Sequence, residues 1–164
     1  MGGETRGMDG SGMSGGGGLI ETLGVEFFAE GRDRVEARMP VTPAVTQPFG
    51  FVHGGATIAL LESVASRGSE LRCDPESEQP FGVEVHVRHR KSGREGHVRG
   101  VAEFDREEPS RGRAGGVKHL WNVTAYDDAG DVMSEGVVTC RVVPRAPAGQ
   151  RDGASAQGSA GSRP

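Results

Sequence analysis

Only one stretch of this chain repeats its apolar residues with the period of an α-helix. Across residues 54 to about 71, Ile58, Leu60, Leu61, Val64, Ala65 and Leu71 share one arc when each residue turns by about 100°. Cys73-Asp74-Pro75 ends it. Everything else that is apolar reads as strand. Residues 25–28 and 35–39 flank the turn-like Glu30-Gly31-Arg32-Asp33 and are expected to form a hairpin. Pro40, Pro43 and Pro48 force an extended loop before the helix. Residues 83–88 alternate with period two, and 98–104 are expected to pair with them across 92–96. Residues 120–126 lead through Asp127-Asp128-Ala129-Gly130, a turn signal, into 132–143. Residues 105–116, charged and rich in glycine, are expected to be a mobile loop. A single, largely apolar helix among antiparallel strands has one economical solution, an α+β layer in which the sheet wraps the helix.

The ends of the chain do not share this pattern. Residues 1–18 hold nine glycines and no apolar residue except three methionines, and 145–164 are built mainly from Gly, Ser, Ala, Arg, Gln and Pro. Neither segment buries enough apolar surface to offset its conformational entropy, so both are expected to be disordered around one domain at 19–144. The net charge of −4 argues against a nucleic-acid partner. No apolar run approaches a membrane span, and no secretion signal opens the chain. Cys73 and Cys140 are too far apart in sequence for a metal knuckle and are expected to be reduced thiols in a cytoplasmic protein.

Several polar residues collect around the helix. Glu62 lies about 40° beyond Ile58, at the border of the apolar arc rather than amid the polar face with Ser63 and Glu70. Ser66, four residues on, shares its face. His53 precedes Gly54-Gly55 at the expected helix start, where amides lack intrahelical acceptors and suit a developing oxyanion. Glycine there lets a carbonyl approach the backbone closely. Gln47 could orient a water or a carbonyl oxygen. His89 follows Val83, Val85 and Val87 onto one strand face. His86 points to the other face, so the two do not form a metal pair. Arg90, Lys91 and Arg94 could meet phosphates. Residues 127–131 lack the terminal glutamate of a calcium loop. Taken singly, each of these residues also has an ordinary structural explanation.

In order, they resemble the hotdog-fold acyl-CoA thioesterases. The nearest subgroup holds the phenylacetate-pathway, 4-hydroxybenzoyl-CoA and 1,4-dihydroxy-2-naphthoyl-CoA enzymes. The resemblance runs through Gln47-Pro-Phe-Gly-x-x-His53-Gly-Gly-Ala, Glu62-Ser63-x-x-Ser66, Gly82-Val-Glu-Val, His89-x-x-Ser92-x-Arg94-Glu95-Gly96, Trp121 and Asp128-x-Gly130. It implies an antiparallel sheet around one long helix, and a dimer, often paired into a tetramer, with active sites at the dimer interface. It implies hydrolysis of an acyl-CoA, an aryl-CoA by preference, to free acid and CoA. No cofactor is implied, CoA being part of the substrate. Glu62 would be nucleophile or general base, acting on a thioester held mainly by the other subunit. The Gly54 N–H would polarise the carbonyl, with Gly55 beside it. Gln47 and His53 would position the reacting groups, and Ser66 the water. Gly82 and the run His89, Arg90, Lys91, Ser92 match positions that contact CoA. Two departures stand out: residues 105–117 are longer than the family's usual loop, and His86 replaces a frequent asparagine. The alternative on the same fold is an acyl-CoA binding module without turnover.

Overall fold

In a computed structural model, residues 18–111 and 115–145 are described; apart from Gly18 and Arg145, the two terminal segments expected to be disordered lie outside them. A four-residue helix, α1 (Leu19–Thr22), leads into β1 (Glu26–Glu30) and β2 (Arg34–Pro40). A 3-10 turn at Pro43–Val45 precedes α2 (Gly54–Arg72). Then follow β3 (Glu78–His89), β4 (His97–Pro109), β5 (Val117–Tyr126) and β6 (Val132–Pro144). The strands form one antiparallel sheet in the order β1-β2-β4-β5-β6-β3.

The sheet curls around α2. Leu60, Leu61, Val64 and Ala65 are fully buried against Val35, Met39, Val98, Trp121, Val123 and Val138. Removing each of the larger of these side chains from water contributes about 1.5–3 kcal/mol. Two glycines set how closely the layers approach. The Trp121 ring fills the place a side chain at Gly68 would take, and Leu60 does the same at Gly100. The Trp121 indole N–H donates to Ser69 Oγ at 2.9 Å, so the largest core side chain leaves no buried donor unpaired.

Three sequence expectations need correction. The hairpin between 83–88 and 98–104 does not form: β3 pairs only with β6, and β4 lies between β2 and β5. Residues 90–96 do not turn back. Their backbone is captured along the end of the sheet, where the Arg90 and Lys91 N–H groups donate to Met133 O, Gly93 O accepts from Val52 N–H, and Gly96 O accepts from Val41 N–H. Second, residues 105–109 are strand, not loop. Backbone pairing continues to Pro109 opposite Val117 past a bulge between Phe104 and Arg106, and Arg106 pairs with Asp105 and Glu108 along the strand. Third, Val83 does not join Val85 and Val87 on the inner face. A bulge between Gly82 and Glu84 breaks the parity, leaving Val83 47% exposed. α1 was not expected, because four residues are too few to show a period.

Among the described residues β1 and β3 are the two free edges, and the face of α2 that the sheet leaves open lies between them. That seam and the N-terminal end of α2 carry the polar residues singled out above.

Candidate active site

The loop into α2 is tightly turned. Gly50 N–H donates to Gln47 O and Gln47 N–H to Phe51 O, with Gly50 at φ +78°, a conformation that favours glycine. Arg94 lies over the Phe51 ring at 3.7 Å. His53 then caps the helix in an unusual way for its type. Its Nδ1 accepts from Gly55 N–H at 2.9 Å, and its carbonyl accepts from the Ala56 and Thr57 amides. With Nδ1 accepting, a neutral imidazole carries its proton on Nε2. The cap therefore commits the amides of residues 55, 56 and 57. Gly54 N–H has no acceptor among the described residues. It points a backbone donor, backed by the helix dipole, at whatever occupies the space in front. The Gln47 side-chain amide also has no partner among the described residues.

His89 meets this end from β3. Its Nδ1 lies 2.8 Å from Ser134 Oγ, and its Nε2 is 2.7 Å from where a side-chain carbon on Gly54 would sit. Ser92 Oγ donates to Val52 O at 3.1 Å and so holds the loop just before His53. Gln47, His53, Gly54, Gly55, His89 and Ser92 are thus brought to one place.

Glu62 is not there. Eight residues along a helix is roughly 12 Å of rise, so its carboxylate stands well away from the helix start of its own chain. It lies instead in the seam, against β3, where Oε1 occupies the room that a side chain at Gly82 would need. On its other side Glu62 lines a cavity of about 860 Å³ with Ser63, Ser66, Ile20 and Phe27, roofed by α1 and β1. Arg67 ties this wall to β1 through Glu30 and also pairs with Glu70. Ser66 Oγ is 3.9 Å from the Cys140 thiol, whose pKa is raised by burial.

Two of the remaining basic residues are already neutralised within the protomer. Arg90 pairs with Glu135, and Lys91 with both Asp127 and Asp131. The hydrogen bond from Arg90 holds Glu135 below the usual carboxylate range, and that from Lys91 does the same to Asp127. Among the described residues Arg94 has a ring contact but no ion pair. Gly82, expected at a coenzyme contact, has no side chain to compete with its own chain's Glu62 for room.

A wrapped helix, an open amide at its start and a carboxylate at its seam can be compared with known proteins. The sequence pattern of the Thioesterase superfamily matches residues 49–117. A 1,4-dihydroxy-2-naphthoyl-CoA hydrolase of Escherichia coli is 33% identical over 127 residues, 77% of this chain and 88% of that protein. The chain belongs to the thioesterase superfamily. A second relative of this thioesterase, the proofreading thioesterase EntH of Cronobacter turicensis, is 35% identical over 112 residues, covering 68% of this chain and 76% of that one. Among solved structures, a mutant thioesterase from Pseudomonas aeruginosa superposes with a TM-score of 0.68 at 32% identity, covering 77% of this chain and 86% of the other. The fold is the hotdog fold, and the protein is a thioester hydrolase. No helix among the described residues is long and apolar enough to cross a membrane.

Two features of this thioesterase's site had no signal in the sequence. The cavity wall contributed by α1 and β1 needs the tertiary packing of a four-residue helix. The notch at Gly82 needs the direction of a side chain twenty residues earlier.

Proposed function

We propose that this thioesterase hydrolyses an acyl-CoA, with an aryl acyl group preferred, to a free acid and CoA, at a site assembled from two protomers. The observation that carries the proposal is the unpartnered Gly54 amide, set roughly 12 Å along the helix from Glu62. A carbonyl held at that amide is out of reach of the same chain's carboxylate. A second copy paired through the free edge of β3 would bring its own Glu62, which already lies against β3, towards the seam between the chains. The reading extends to a dimer of such dimers.

Attack on the thioester carbonyl places negative charge on oxygen. The Gly54 N–H receives that charge, with the Gln47 amide and the His53 Nε2–H within the same loop to orient the carbonyl and the attacking group. Glu62 either attacks the carbonyl carbon, giving a mixed anhydride and expelling the CoA thiolate, or takes a proton from a water that attacks in its place. Ser66, one helical turn beyond Glu62, holds that water. The apolar part of the cavity under α1 suits the acyl group. Gly55, His89 and Ser92 border the thioester arm, and Arg94, with no carboxylate partner, suits a CoA phosphate better than Arg90 or Lys91. No cofactor enters the chemistry. Both cysteines are free thiols, and burial pushes Cys73 up to about 11, which keeps it protonated and out of the chemistry.

Subunit mixing tests the shared site. Glu62→Gln and Gly54→Val chains are each expected to be inactive when pure. Unfolded and refolded together, they form mixed dimers with one intact site, and thiol release from benzoyl-CoA returns in part. Mixtures as inactive as the parents would place both groups in one protomer's site and end this reading.

A further inference from the structure

We propose that Ser134 is a positioning residue of this site: its hydroxyl donates to His89 Nδ1, holds the ring against Gly54 and fixes the tautomer that presents an Nε2–H donor beside the free Gly54 amide. The inference rests on the reading of the helix start as the carbonyl-binding end.

Ser134 sits on β6 directly opposite His89 on β3 and is 1% exposed. Its Oγ lies 2.8 Å from His89 Nδ1, the one hydrogen-bond partner of that hydroxyl among the described residues. The direction of the bond follows from what each choice would leave unmade. If the imidazole donated, the serine proton would be buried with no acceptor. If the serine donates, only lone pairs stay unused, and a buried donor left unpaired is the costlier fault. Serine therefore donates, Nδ1 accepts, and the neutral ring carries its proton on Nε2.

That proton has a defined place. Nε2 is the ring atom nearest to Gly54, 2.7 Å from the position of an added side-chain carbon, with Cδ2 and Cε1 each at 3.3 Å. The three distances place that carbon over the ring face at Nε2, well off the N–H direction, so the ring packs against the start of α2 with its Nε2–H directed past Gly54. Two N–H donors from different elements, one backbone and one imidazole, then flank the same opening. Glycine at 54 is required by this approach as well as by the substrate, since any side chain would displace the ring. His89 thereby adds a donor from β3 to those that the loop and helix start already turn towards the thioester carbonyl. Ser134 touches no substrate atom and acts only through His89.

The test combines ring ¹⁵N NMR of the full chain at about pH 8, where a free histidine is neutral, with thiol-release kinetics. The His89 signals are assigned by their loss in His89→Gln. In the wild type they are expected to show the Nε2–H tautomer, and in Ser134→Ala a mixture. Ser134→Ala is expected to lower kcat about tenfold or more with little change in KM, as a displaced donor does, and Ser134→Thr, which keeps the hydroxyl, to restore it. An Nδ1–H tautomer in the wild type overturns the proposal, as does a folded Ser134→Ala protein with wild-type kcat. The tautomer is read without turnover, so it decides the Ser134–His89 arrangement even if the acyl-CoA reading of the site fails.

Discussion

The two ends of α2 solve opposite problems. At the C-terminal end the helix is fastened down. The Arg72 carbonyl accepts from the Arg32 guanidinium, while Arg72 itself donates to Arg32 O and to Asp33. Its guanidinium lies 3.4 Å over the Phe104 ring, which meets His119 and Trp121 edge-on. Unpartnered polar atoms exist here too, Arg72 Nε and His119 Nδ1, but they are buried. At the N-terminal end the unpartnered groups, Gly54 N–H and the Gln47 amide, belong to a loop whose neighbours His53 and Gly55 are exposed. An unmet hydrogen-bonding group has the same chemistry in both places. Access decides whether it is a cost to the fold or a grip on a ligand.

If that contrast is right, substitutions divide cleanly into those that lower turnover and those that lower stability. Glu62→Gln should produce the largest effect, a fall in kcat of about 10²–10³ with an unchanged melting temperature, since the seam carboxylate has no bonded partner among the described residues to lose. Wild-type thiol release from that variant would remove Glu62 from the chemistry. Phe104→Ala should do the reverse. It strips the ring from beneath Arg72 and beside Trp121, and urea unfolding should show a loss of about 2 kcal/mol while kcat stays near wild type. A tenfold loss of kcat there would mean that the two ends are coupled. Gly82→Ala sharpens the comparison within the seam. The added methyl needs the room held by Glu62 Oε1, but a flexible carboxylate can swing aside. The expected result is a fall in kcat of about tenfold with almost no change in stability.

The smallest effect concerns pH. Burial first, and then the Arg72 charge, lower the pKa of His119, opposed by Glu107 at 3.4 Å and by Glu78. A histidine whose folded pKa is depressed leaves stability intact above the unfolded value of about 6.5 and removes it as pH falls from there towards the folded value. Denaturation midpoints measured from pH 8 to 5 should therefore fall more steeply in the wild type than in His119→Gln. Parallel curves would show that His119 does not carry this dependence.

How much of this was visible in the letters depends on range. The helix was legible because Leu60, Leu61, Val64 and Ala65 encode their burial locally, and the loop residues Gln47, His53 and Gly54 because they cluster within eight positions. The neighbour of β3 was not legible. Two strands separated by seven residues look like a hairpin, and only the distant carbonyl of Met133 and the amides of Val52 and Val41 divert the chain. The ion partners of Lys91 and Arg90 were hidden for the same reason, since Asp131 and Glu135 lie 40 and 45 residues further on. Nor do the letters show that the missing side chain at Gly82 makes room for Glu62 Oε1.

The stretch from Arg90 to Gly96 works as a tie-bar. It is bolted at three points to the rim of the sheet and to the doorway of the helix, and it has no regular structure of its own. A single protease cut within it would leave β3 zipped to β6 yet let the entrance of α2 drift. Activity would fail while the wrap kept its shape, although nothing at the seam had been touched.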